Sequence, residues 1–145
     1  MAAAGEMKLP VADTEFLFGM RSTDPKHIFV KRILESKPDL TIPSFAIFEM
    51  VVVLLSEGKS KDVIIETLEL INSIIKKYNL KVMDLNIKQL TTGLTIYDRR
   101  GLFDSLIAGC ALLYDGIVIG DDEHFLGIAG LRRKTLRQYL DEVKK

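Results

Sequence analysis

Four acids in this sequence stand where an acid is costly. Asp13 ends the apolar stretch that runs through Leu9, Val11 and Ala12. Glu49 is the single charge in Pro43 to Leu55, PSFAIFEMVVVLL. Asp104 is the only charge between Leu102 and Leu113. Asp122 follows Asp121 just past Ile117-Val118-Ile119. An ionised carboxylate in apolar surroundings is unfavourable unless a base or a metal ion compensates it. No Lys, Arg or His lies within the run around Asp104. Glu49 taken alone has two other outcomes open to it, reaching the surface or pairing with a distant Arg. Two lone acids in two apolar helices is nevertheless unusual. Carboxylates gathered together repel one another and raise some pKa values unless divalent cations are present. Hard oxygen donors suit Mg²⁺ or Mn²⁺. Zinc is a poor match, with only His27, His124 and the sole cysteine, Cys110, to offer. Mg²⁺ held by carboxylates is a common apparatus for phosphodiester chemistry, since it orients a water, lowers its pKa and neutralises charge on phosphate. Asp121 is an extra acid able to share or replace the role of Asp122.

The elements that must position these acids follow from periodicity and punctuation. Lys8 to Asp13, Asp39 to Ile42, Lys81 to Leu85 and Gly116 to Gly120 read as short strands, with Leu131 to Lys134 as an edge strand. Asp24-Pro25 reads as a helix start, Asp as N-cap and Pro at the first position, with the helix running to about Ser36. Pro43 to Leu55 is apolar almost all round and reads as a buried helix. In Ser60 to Tyr78 the apolar residues Ile64, Leu68, Ile71, Ile75 and Tyr78 recur at helical spacing. Asn86 with Gln89 resembles a capping box, opening a helix marked by Ile87, Leu90, Leu94 and Tyr97. Leu102 to Leu113 is the next helix, Asp115-Gly116 a turn, His124 to Ala129 a short helix, and Leu136 to Val143 the last. Strands alternating with helices argue for an α/β fold, with helices on both faces of a mostly parallel sheet of four to five short strands. In such a sheet the strand ends and the following helix turns collect at one edge, where ligands bind.

Composition bounds the rest. The chain of 145 residues, 48% hydrophobic, suits one domain with a real core, read here as residues 7–145 behind a leader or tag remnant at 1–6. No apolar run reaches the ~18 residues of a membrane span, and a lone cysteine fits a reducing cytoplasm. Twenty acids balance twenty bases, so nucleic-acid contact would rest on local patches and bound cations. Few Asn, Gln and Cys beside many Ile, Lys and Glu faintly suggest a heat-adapted source.

Four motifs in order carry a resemblance. They are Val11-Ala12-Asp13-Thr14, Ile47-Phe48-Glu49-Met50, Phe103-Asp104-Ser105-Leu106 and Gly120-Asp121-Asp122-Glu123-His124-Phe125. Thirty-six residues separate Asp13 from Glu49, and 18 separate Asp104 from Asp122. With this pattern the chain, from Lys8 to about Val143, resembles the PIN-domain ribonucleases, most closely the small single-domain members typified by VapC toxins. The resemblance implies a three-layer α/β/α fold and a Mg²⁺- or Mn²⁺-dependent endoribonuclease. Asp13, Glu49, Asp104 and Asp122 would be its metal-holding catalytic acids, with Thr14 and Ser105 as supporting hydroxyls. It also implies an RNA substrate, a cognate antitoxin that blocks the site, and a homodimer. Two positions depart from the family pattern. Glu15 stands where Ser or Asn is usual, and Gly120 where Thr or Ser is usual. Glu15 is expected to point to solvent.

Other residues have simpler readings. His124 can touch phosphate, though a capping or surface role is commoner. Asp98 beside Arg99 and Arg100 reads as a surface ion pair. Arg132, Arg133, Lys134 and Arg137 form the densest basic cluster, either a rim for an RNA backbone or a solvated face. Cys110 reads as a core residue, and Phe45, Phe48 and Met50 as core or dimer contacts. Three competing functions remain: a non-catalytic PIN-like binding module, a housekeeping RNA-processing nuclease, and a receiver-like phosphate-handling domain, for which no phosphoacceptor and lysine pattern is apparent.

Overall fold

The computed structural model of the protein describes residues 9–98 and 100–144. Lys8, the residues 1–6 expected to be a leader or tag remnant, and Arg99 lie outside them. The strands are β1 (Val11–Ala12), β2 (Thr41–Pro43), β3 (Lys81–Met83), β4 (Ile117–Ile119) and β5 (Arg132–Lys134). The helices are α1 (Thr14–Phe18), α2 (His27–Glu35), α3 (Ser44–Ser56), α4 (Lys61–Lys77), α5 (Ile87–Thr95), α6 (Leu102–Leu112) and α7 (Leu136–Val143), with a 3₁₀ turn at Glu123–Phe125. The sheet has the order β3-β2-β1-β4-β5 with every pair parallel. Helices flank it in the three-layer α/β/α arrangement. Fully buried side chains from each layer, among them Phe16, Ile33, Ile42, Met50, Ile107, Ile119 and Phe125, form one core.

Several helices begin and end where their chemistry dictates. Ser60 caps α4 through Val63 N–H. Asn86 and Gln89 close a reciprocal capping box on α5, and Thr135 and Gln138 another on α7. Asp24-Pro25, by contrast, does not open α2. The Asp24 carboxylate accepts Lys26 N–H at 2.8 Å and its carbonyl accepts His27 N–H at 3.0 Å, so the pair forms a turn and the helix starts at His27. His124 to Ala129 shortens to the single 3₁₀ turn.

Two helices bury a different face from the one their apolar residues suggest. In α3, Phe45, Ala46, Met50 and Leu54 are buried, but Phe48 is 61% exposed, Leu55 59% and Val52 40%. In α5 most of the apolar stripe faces outward, with Ile87 81% exposed and Leu94 56%, while Leu90 packs partly buried against the core, and Tyr97 just past the helix is exposed too. Gln89 and Gly93 are what α5 buries. The cause lies in α6. A Cβ placed on Gly109 would come within 2.6 Å of the Gly93 nitrogen and 2.8 Å of its Cα. Two glycines thus let α5 and α6 approach backbone to backbone, and this closeness, not apolar periodicity, sets the buried face of α5.

Because the clash at Gly109 is with backbone, a side chain there must push α5 off α6. Gly109→Ala is therefore expected to destabilise the protein by about 1–3 kcal/mol in urea unfolding, despite alanine's better helix propensity. Unchanged or increased stability would contradict this packing.

Candidate metal centre

β1 lies between β2 and β4. From β1 the chain builds β2 and β3 on one side, then returns to place β4 and β5 on the other. The β1/β4 junction is thus the switch point of the sheet, the place where open parallel sheets make their binding crevice. Val11 pairs with Val118 and Ala12 with Ile119, and Asp13 N–H continues the ladder to Ile119 O at 3.0 Å. Asp13 leaves β1 here as the N-cap of α1, and Asp122 follows β4 after Gly120 and Asp121. Glu49 comes from α3, which begins directly after β2. Asp104 stands in the first turn of α6, whose start at Gly101 has φ of +95°, a conformation suited to glycine. The positive end of that helix favours an acid there.

Asp13, Glu49, Asp104 and Asp122 all line one cleft of about 580 Å³. Asp13 is 4% exposed, and its Oδ1 accepts Thr14 N–H at 2.6 Å. The Thr14 hydroxyl donates to Glu49 Oε1 and so ties the end of β1 to α3. His124 Nδ1 lies 3.0 Å from Asp104 Oδ2 and 3.4 Å from Asp122 Oδ1. Among the described residues, Asp104, Asp122 and His124 each present a donor atom within 4.8 Å of the others. Asp122 Oδ1 also accepts His124 N–H at 2.9 Å, capping the turn that buried Phe125 pins to the core. The Ser105 hydroxyl turns away to Gly101 O at 3.0 Å, within its own helix.

Asp121 is engaged on every side. Its Oδ1 accepts Leu136 N–H at 2.9 Å, its Oδ2 pairs with the Lys26 ammonium, and its carbonyl accepts from Arg133 at 2.8 Å. Glu15 does not point to solvent. It lines the cleft, and its Oε1 accepts Asp121 N–H at 2.8 Å. The basic cluster is largely spent inside the molecule. Arg133 holds Asp121 O, Lys134 pairs with Glu142 at 2.7 Å, and Arg137 lies over the Phe29 ring. Asp98 pairs with Arg100, which also donates to His124 O at 2.8 Å.

Electrostatics match a crowd of like charges. Burial first, then the charges of Glu15 and Asp104, push the Asp13 carboxyl well above its ordinary range. Burial also raises Glu49 and Asp104, against the opposing hydrogen bonds from Thr14 and His124. Glu15 is raised by burial, with Asp121 N–H acting against it. Asp121 differs. Burial would raise it, but Lys26 and Leu136 N–H prevail and hold it low. His124 is raised by its bond to Asp104. Among the described residues, eight carboxylates line the cleft against two bases, Arg21 and Lys26. Neither base stood out in the sequence, because only the α2 turn brings them to the acids.

The PIN-domain family profile matches residues 11–131. A chain of a toxin–antitoxin complex from Klebsiella pneumoniae is similar to this one with a TM-score of 0.55 and 17% identity, covering 85% of this chain and 95% of that one. At that identity the similarity speaks for the fold. No curated protein sequence matches this chain.

A carboxyl with a raised folded-state pKa stabilises the fold while protonated, and that stability is lost as pH rises through the raised value. Asp13, Glu49 and Asp104 are raised from 3.8, 4.5 and 3.8, and His124, raised from 6.5, acts in the same direction. Asp121 acts oppositely, but only below its ordinary 3.8. In chelator, the melting temperature is therefore expected to fall as pH rises above the ordinary carboxylate values of 3.8 and 4.5. A flat or rising profile by calorimetry would contradict the clustered-acid electrostatics.

Proposed function

The chain belongs to the PIN-domain family, and from that premise we propose that it is a divalent-metal-dependent endoribonuclease that hydrolyses RNA phosphodiester bonds. The observation that carries this reading is the convergence of Asp13, Glu49, Asp104 and Asp122 on one cleft at the switch point of the sheet. The donor set fits Mg²⁺ or Mn²⁺, being carboxylate oxygens with one imidazole beside them. A cleft lined by eight acids would repel an RNA backbone without such ions. When bound, the ion activates a water and neutralises charge building on the phosphate.

The chain's own residues do the positioning. The four acids would hold the ion. Thr14 fixes Glu49 through its hydroxyl, and Asp122 is set by the 3₁₀ turn it caps. Arg21 and Lys26 put positive charge on the cleft wall. No covalent nucleophile is required. Cys110 is fully buried, and burial pushes its thiol up to about 12.

The family resemblance and the toxin–antitoxin neighbour support a narrower version of this reading. In it the protein is the toxin of a VapBC-type pair, held inactive by a cognate antitoxin that blocks the cleft. Exposed Phe48, Val52 and Leu55 on α3 give it an apolar face suited to a homodimer. A cytoplasmic site of action belongs to the same proposal. Among the described residues no helix is long and apolar enough to cross a membrane.

The test is cleavage of structured RNAs with Mn²⁺ or Mg²⁺. Wild type is expected to cut only with metal, and Asp104→Asn, which keeps size and removes charge, to fall to background. Thr14→Val is expected to lose about 10- to 100-fold, as for a residue orienting a metal ligand. Metal-independent cutting, or full activity in Asp104→Asn, would contradict the proposal.

A further inference from the structure

Glu15 adds a fifth carboxylate to a group that already repels itself, and its charge is the largest through-space contribution raising Asp13. Such a group needs a compensating use, and the structure shows where its oxygen goes. Oε1 accepts the N–H of Asp121, a residue 106 positions away and adjacent to Asp122. The other polar groups of Asp121 are fixed too, by Leu136 N–H, Lys26 and Arg133. One residue earlier, Gly120 N–H is bonded to Lys134 O at 2.9 Å. A Cβ on Gly120 would lie 2.7 Å from both Asp13 Cβ and Asp13 Oδ2. Asp13 therefore fills the space a side chain at 120 would need, and a side chain there cannot anchor this turn. Glu15, reaching across from α1, is the anchor on the cleft side.

We propose that Glu15 is a positioning residue for the metal centre, acting through Asp121 N–H to fix the β4 turn that presents Asp122 beside Asp13. The role belongs to its acceptor oxygen, not its charge. Lys26 completes the device. Its ammonium pairs with Asp121 and also attracts Glu15, which offsets part of the repulsion that Glu15 brings. Asp121 acts as the clamped link in this brace, with both carboxylate oxygens already in use, and leaves the ion to its neighbour. Loss of a partner that orients a ligating side chain typically weakens metal affinity about 10- to 100-fold.

This inference rests on the metal-centre reading, so its test must separate the two. Mn²⁺ affinity is measured by calorimetric titration at neutral pH on wild type, Glu15→Ala, Glu15→Gln and Asp104→Asn, with melting curves confirming that each variant is folded. Glu15→Ala is expected to bind about 10- to 100-fold more weakly. Glu15→Gln keeps an amide oxygen for Asp121 N–H and is expected to stay near wild type, a rescue that a charge-dependent role would not show. In parallel, hydrogen exchange at the Asp121 amide is expected to speed up in Glu15→Ala and remain slow in Glu15→Gln. If Glu15→Gln loses affinity as Glu15→Ala does, Glu15 touches the ion directly and the positioning role is overturned. Full affinity in Glu15→Ala overturns it as well. If Asp104→Asn binds like wild type, or wild type does not bind Mn²⁺, the metal-centre reading itself fails.

Discussion

The structure depends on holding negative charges together against their mutual repulsion. Asp13, Glu49, Asp104 and Asp122 come from four separate elements and converge at the switch point of a parallel sheet. Each of the first three has its carboxyl pushed up, mainly by burial. Hydrogen bonds from Thr14 and His124 offset only part of that cost. The remainder of the fold must supply the free energy that keeps the acids in place.

The supports are recognisable one at a time. The β1/β4 ladder sets the two strand ends side by side and extends through Asp13 N–H. Thr14 ties β1 to α3. The Gly93–Gly109 contact lets α5 clamp α6, which carries Asp104. Phe125 anchors the turn that carries Asp122. Glu15, Lys26 and Asp121 bind that turn to α1, α2 and α7. His124, bonded to Asp104 and close to Asp122, places a titratable nitrogen between two of the acids.

Much of this was legible in the sequence because its signals were local. A lone acid in an apolar run announced Asp13, Glu49 and Asp104 as unusual, and alternation of strands and helices announced the parallel sheet. The capping box at Asn86 needed only three residues to read. What the sequence hid depends on long-range contacts. The outward apolar face of α5 follows from a glycine crossing between two helices, which periodicity cannot register. Exposed Phe48 and Leu55 in α3 look like core residues until the neighbouring elements are placed. Glu15 looked like a solvated acid because its partner stands 106 residues away, and Asp24-Pro25 made a turn where its composition suggested a cap.

The central claim is that these acids form a divalent-metal centre. Diffraction from crystals soaked in Mn²⁺, recorded for anomalous scattering, tests it most directly. The account predicts a strong manganese peak inside the cleft, in contact with carboxylates from among Asp13, Glu49, Asp104 and Asp122. A clear map with no peak there, or with manganese only on surface acids such as Asp141, would contradict it.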